Sequence, residues 1–154
     1  MPQHITVAQL RELRQLTNAG MMDCRAALEA TKGHVEQAAE LLRRKAAEEA
    51  ERRANRSAPE GIVGSYVHHN RKLAALVELR CETDFVARTE VFRTLLGQLA
   101  EHVAASAPNA VDELLAQPWV REPSRTIAEL IDETSAKVGE RVEVRRFARF
   151  AIAD

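Results

Sequence analysis

Apolar positions recur at helical spacing through the first third of the chain. Thr6 followed by Gln9 is the signature of a capping box, and Val7, Leu10, Leu13 and Leu16 then predict a first helix with an apolar stripe. Thr17-Asn18-Ala19-Gly20 breaks the stripe, with Asn18 and Gly20 tolerating the positive φ of a tight turn. A second helix is predicted from about residue 21 to 31, stopped by Lys32-Gly33. The third carries Val35, Ala38, Ala39 and Leu42 at i, i+3, i+4, i+7 spacing. Residues 43–56 are mostly Ala, Glu and Arg, the pattern of a solvated helical linker held by charge pairs four residues apart. Ser57-Ala58-Pro59-Glu60-Gly61 ends it.

Past Gly61 the period changes to two. Residues 62–68 alternate, and Leu73, Ala75, Val77 and Leu79 share one face of a second strand, so His69-Asn70-Arg71-Lys72 reads as the turn of an antiparallel hairpin. Phe92, Leu95, Leu96, Leu99 and Val103 predict a long helix, and residues 111–115 a short one, followed by a loop containing Pro118 and Pro123. Thr126 and Glu129 form another capping box, opening a helix closed by Gly139. In residues 141–152, Val142, Val144, Ala148, Phe150 and Ile152 are expected on one face of a last strand. The expectation is an α+β protein: a three-helix domain (1–45), a helical linker (46–60), and a core (61–154) with a small three-stranded antiparallel sheet packed with helices.

Composition narrows the function. The chain of 154 residues is 45% hydrophobic and 29% charged, as in a soluble globular protein, and its 22 basic and 23 acidic residues nearly cancel. That weakens a nucleic-acid reading, which needs a net positive face, so no direct nucleic-acid partner is expected. No apolar run approaches the ~20 residues of a bilayer span, and no signal peptide is legible, so no membrane partner is expected. Cys24 and Cys81 lie far apart without a CxxC pair, which suits a reducing cytoplasm.

The candidate chemistry is sparse. Cys81, Cys24 and the His68-His69 pair invite a thiol or zinc site, yet metal ligands usually come in close pairs, and a small thiol after a strand is commonly buried. Neither GxxxxGK[ST] nor GxGxxG occurs, so no nucleotide, metal or other cofactor is expected on the chain itself. Glu82 and Asp84 are a conceivable carboxylate pair, but Thr83 or Asp84 starting a helix is the more ordinary reading. Phe85 beside two acids supports two readings: a core residue of the first turn, or a protruding aromatic of the type that anchors protein interfaces. Two rival classes stand beside an interaction protein. One is an RNA- or ribosome-binding module using residues 43–56 and 141–149; the other is a small hydrolase using Cys81 and His68.

Three blocks then carry a resemblance. LRQLTNAGMMDCRAAL (13–28), LVELRCETDFVAR (76–88) and KVGERVEVRRF (137–147) occur in the order in which they occur in bacterial elongation factor Ts, and the chain resembles that family over nearly its whole length. The resemblance implies a non-enzymatic guanine-nucleotide exchange factor acting on elongation factor Tu, in its GDP and nucleotide-free forms, and a ubiquitin-associated-like N-terminal domain. It implies that the TDFV segment (Thr83, Asp84, Phe85 and Val86) inserts near the partner's magnesium and phosphates, with Asp84 and Phe85 as the intruding pair. Met21, Met22 and Arg25 resemble a second docking surface, and His68 in Tyr66-Val67-His68 resembles a further contact. Arg71 and Ala74 stand where members commonly carry hairpin glycines, and Asn18 replaces another glycine. With room for one core, the chain is similar to the short form, in which two copies pair through their core sheets; this implies a homodimer.

Overall fold

The computed structural model describes residues 4–152; the outermost residues of the expected domains, 1–3 and 153–154, lie outside that range. The fold divides into two compact units between Arg52 and Arg53.

The first unit contains α1 (Val7–Thr17), α2 (Met21–Ala30) and most of α3 (Val35–Ala54). Thr6 closes the capping box: its Oγ1 accepts from Gln9 N at 3.2 Å, and Gln9 Oε1 accepts from Thr6 N at 2.8 Å. Asn18 takes the left-handed region at φ 55°, ending α1. Leu13, Cys24, Ala27, Leu28, Ala38, Ala39 and Leu42 form the core. The expected α1 stripe is only partly buried, because Val7 and Leu16 are exposed. Steps of three residues slip about 60° each on a 3.6-residue helix, so a row four members long ends on the opposite side. Helix α3 continues without a break through residues 46–54, where a helical linker was expected.

In the second unit, β1 (Glu60–Val67), β2 (Leu73–Cys81) and β5 (Glu143–Ala151) form one antiparallel sheet in the order β1-β2-β5. Arg71 turns the β1–β2 hairpin at φ 61° without the glycine such a position favours, and Asn70 Oδ1 accepts from Lys72 N at 3.0 Å. Helices α4 (Asp84–Ala87), α5 (Glu90–Ser106), α6 (Val111–Ala116) and α7 (Ile127–Val138) complete the unit. Ala75, Val77, Leu79 and Cys81 face the core with Phe92, Leu95, Leu99, Ile127 and Ile131. Gly64 lets α5 lie close on β1: a Cβ there would sit 2.4 Å from Leu96 Cγ.

Two expectations need correction here. The Pro118 to Pro123 loop contains a small hairpin, β3 (Pro118–Trp119) with β4 (Glu122–Thr126). At the last strand, Val142 just before β5 and Val144 within it do face the core, but Phe150 and, just after β5, Ile152 are 72% and 70% exposed. Glu78 pairs with Arg146 while Leu79 pairs with Val144, so Arg145 is an extra residue in β5. One extra residue inverts the parity of everything beyond it, turning Phe147 inward and Ala148 and Phe150 outward. The outer face therefore carries Val63, Val67, Leu76 and Phe150 as exposed apolar side chains. Across it, Val67 faces Ala74 and Ala74 faces Phe150.

Candidate functional site

Strand β2 ends at Cys81, and two residues later the chain enters the single turn α4. Thr83 is its N-cap, with φ −127° and ψ 152°, and its Oγ1 accepts from Val86 N at 3.3 Å. The far end is tied by Thr89, whose hydroxyl donates to Val86 O at 2.7 Å and accepts from Phe92 N at 3.3 Å, starting α5. Val86 and Ala87 are buried in the core, and α4 packs on β1 and β2. Phe85 points the other way and is 77% exposed. Of the two sequence readings of Phe85, the core residue is thus the wrong one. Leaving a phenyl ring in water forgoes roughly 1.5–3 kcal/mol of burial, so the fold gains little from it here. Asp84 is exposed and pairs with Arg88 at 3.1 Å.

The base of this turn is held from a distant segment. Gly139, at φ 71°, ends α7, and Ser135 Oγ donates to Glu140 O at 2.6 Å. Glu140 Oε1 then accepts from Glu82 N at 3.1 Å and Thr83 N at 3.0 Å, and its Oε2 accepts from Thr83 Oγ1 at 2.8 Å. In return Glu82 Oε2 accepts from Arg141 N at 2.7 Å and lies 3.5 Å from Arg56 Nη1. Glu82 and Asp84 therefore do not converge as an acid/base pair. Sequence reasoning missed Glu140; its only local mark is its place directly after the helix-ending Gly139 in KVGER.

Cys81 is fully buried, and its Sγ donates to Thr83 O at 3.1 Å. Burial pushes the thiol pKa up, and the Glu140 carboxylate raises it further, so the reactive thiolate is suppressed. The ring of His68 meets Tyr66 Oη through Nδ1 at 2.9 Å, and its centroid lies 4.2 Å from that of His69. His68 follows β1 at the hairpin end, whereas α4 leaves the other end of β2. The nine residues of β2 span about 26 Å at ~3.3 Å per residue, so the structure does not bring Phe85 and His68 together. In the first unit, Met21 and Met22 are exposed at the start of α2, and Arg25 pairs with Glu29 at 3.1 Å on the surface. Among the described residues, no group of three or more His, Cys, Asp or Glu is placed to hold a metal, and no helix is long and apolar enough to cross a membrane.

A family model described as elongation factor TS matches residues 82–154, from the base of α4 onward. Elongation factor Ts of a Nostoc species is 44% identical over 150 residues, covering 97% of this chain and 47% of that relative. The same protein of Clostridium perfringens strain 13 is 47% identical over 148 residues, covering 96% of the chain and 48% of the relative. That of Geobacter sulfurreducens is 35% identical over 195 residues, covering 97% of this chain and 90% of the relative. The chain thus spans about half the length of the first two relatives and nearly all of the third.

Proposed function

The chain belongs to the elongation factor Ts family, and from that premise we propose that it is a guanine-nucleotide exchange factor for elongation factor Tu in translation elongation. The observation that carries the reading is the exposure of Phe85 on a turn whose neighbours, Val86 and Ala87, are locked in the core. An aromatic side chain held out on a rigid base pays little entropy when it enters a partner's pocket.

Exchange is a matter of coupling: factor and nucleotide weaken each other's binding by the same ratio. Each tenfold loss of nucleotide affinity requires ~1.4 kcal/mol of antagonism. Burying the Phe85 ring yields roughly 1.5–3 kcal/mol, which suffices for one to two decades if the pocket opens only in the nucleotide-poor state. Thr83 and Val86 fix the segment, Phe85 wedges, and Asp84 disturbs the hydrogen bonds beside the partner's magnesium. That ion demands near-octahedral oxygen ligands, so a small displacement of its supporting loop weakens the site disproportionately. The chain itself acts by binding, with no chemical step and no cofactor of its own.

Met21, Met22 and Arg25, on a ubiquitin-associated-like domain over residues 1–45, supply a second docking surface, with residues 46–60 as linker and 61–154 as core. His68 makes a further contact. The working form is a cytoplasmic homodimer paired through the core sheets. The exposed Val63, Val67, Leu76 and Phe150 support that pairing, and the separation of His68 from Phe85 within one copy supports each being supplied to a partner by a different copy. Sedimentation showing a monomer at working concentration would sink the dimer. The exchange reading is tested by mixing the protein with elongation factor Tu loaded with fluorescent GDP. Release accelerates with the native chain and slows by about ten- to a hundredfold with Phe85→Ala. Native release rates with Phe85→Ala would refute the wedge.

A further inference from the structure

A one-turn helix has no stability of its own. Forming the first turn fixes several dihedrals for a single hydrogen bond, and α4 contains only four residues. Its apolar side chains Val86 and Ala87 fasten the C-terminal half to the core. The N-terminal half, which leads into Asp84 and Phe85, is fastened by something else. Its two approaching backbone N–H groups, of Glu82 and Thr83, both point at one carboxylate oxygen of Glu140.

We propose that Glu140 is a positioning residue for the exchange tip, holding the cap of α4 in place so that Phe85 is presented in one orientation; this rests on the exchange reading above. The geometry is that of a clamp. Glu140 is half-buried, and its carboxylate takes three donors from two consecutive residues. Because the Thr83 hydroxyl spends its hydrogen on Glu140 Oε2, a lone pair on the same oxygen is left facing Val86 N, which donates to it. Glu140 therefore sets the rotor of the cap as well as the path of the backbone. Glu82 returns the contact by accepting from Arg141 N, so the two acids cross-link the β2 exit to the α7 exit reciprocally. Glu140 itself is prepared by the turn at Gly139 and by the Ser135 hydroxyl on its carbonyl. Its side chain is absent from the hydrophobic core, so removing it loosens the tip without emptying the core.

The test compares Glu140→Ala, Glu140→Gln, Phe85→Ala and the Phe85→Ala/Glu140→Ala double variant in the full chain. Two measurements are made: amide hydrogen exchange of Thr83 and Val86 in the free protein, and GDP release from elongation factor Tu over a range of factor concentrations. Glu140→Ala is expected to speed exchange of both amides about tenfold, the equivalent of ~1.4 kcal/mol of lost hydrogen bonding. Core amides such as those of Leu95 and Leu99 stay protected. Maximal GDP release falls, with little change in the concentration giving half effect. Glu140→Gln keeps an acceptor for the two backbone N–H groups and restores most of the loss. In the Phe85→Ala background, Glu140→Ala has a much smaller effect, the part that acts through Asp84. An equal additional loss in that background would overturn the proposal, because Glu140 would then act elsewhere. So would unchanged Thr83 and Val86 exchange in Glu140→Ala. If Phe85→Ala alone releases GDP at the native rate, the exchange reading fails instead, and the amide measurement still decides whether the clamp exists.

Discussion

Gly64→Ala tests how closely the sheet and α5 are fitted together. A Cβ at position 64 would lie 2.4 Å from Leu96 Cγ, 2.7 Å from Cδ2 and 3.0 Å from Cδ1. Carbon atoms pack at about 3.5–4.0 Å, so the closest pair must separate by about 1 Å or more. Leu96 is itself buried, and α5 cannot lift without opening the contacts of Phe92, Leu95, Leu99 and Val103. Overpacking of this kind costs about 1–3 kcal/mol. Loss of glycine freedom in the unfolded chain offsets about 0.4–1 kcal/mol of that. The expected net loss is roughly 1–2 kcal/mol, a fall of about 4–16 °C in the midpoint of a unit near a hundred residues long. The chain has one tryptophan, Trp119, which is buried in the second unit, so its fluorescence follows that unit alone. A thermal melt followed by Trp119 in which Gly64→Ala matches or exceeds the native midpoint would falsify the close-approach argument.

Other expectations follow from single contacts. His102 is fully buried, accepting at Nδ1 from Val120 N at 3.3 Å and meeting Gln117 Oε1 through Nε2 at 2.9 Å, so the neutral ring carries its proton on Nε2. Burial pushes its pKa down, opposed by the Gln117 contact, so its contribution is full above the unfolded value near 6.5 and is lost as pH falls below it. Urea midpoints by Trp119 fluorescence should therefore fall from pH 7 to pH 5, less steeply in His102→Gln; identical slopes would count against the assignment. Arg71→Gly relieves a left-handed residue worth about 1–2 kcal/mol and adds unfolded-state freedom worth about 0.5–1 kcal/mol, so the unfolding free energy from urea titration should hold or rise by up to about 1.5 kcal/mol. A clear drop would show that the Arg71 side chain contributes more than its backbone costs. Cys81→Ser should lower stability by roughly 1 kcal/mol while leaving GDP release near native, and abolished release would reinstate a chemical role for the thiol.

Much of the fold is written locally. The capping boxes at Thr6 and Thr126, the left-handed Asn18 and Gly139, and the change of period after Gly61 each depend on residues within a few positions. Short-range hydrogen bonding and sterics act there regardless of what lies across the core, so the helices and the first two strands were legible in the sequence. The TDFV segment stood out in the sequence only through its resemblance, and its presentation was not legible there. Whether Phe85 faces the core or the solvent depends on how α4 settles on β1 and β2, and a four-residue turn has too little periodicity to announce a face.

Tertiary contacts decided the rest. The extra Arg145 in β5 is visible only in the pairing with β2, yet it turns Phe150 and Ile152 outward. The Glu82–Glu140 cross-link joins residues 58 positions apart, and no pattern within either segment points to the other. The chain by itself determined the main helices and the strands of the larger sheet, because their periodicity, caps and turns are local properties of the backbone, whereas the β3–β4 hairpin was not legible in it. Only the folded structure decided which residues those elements expose, because exposure is set by what packs against each face.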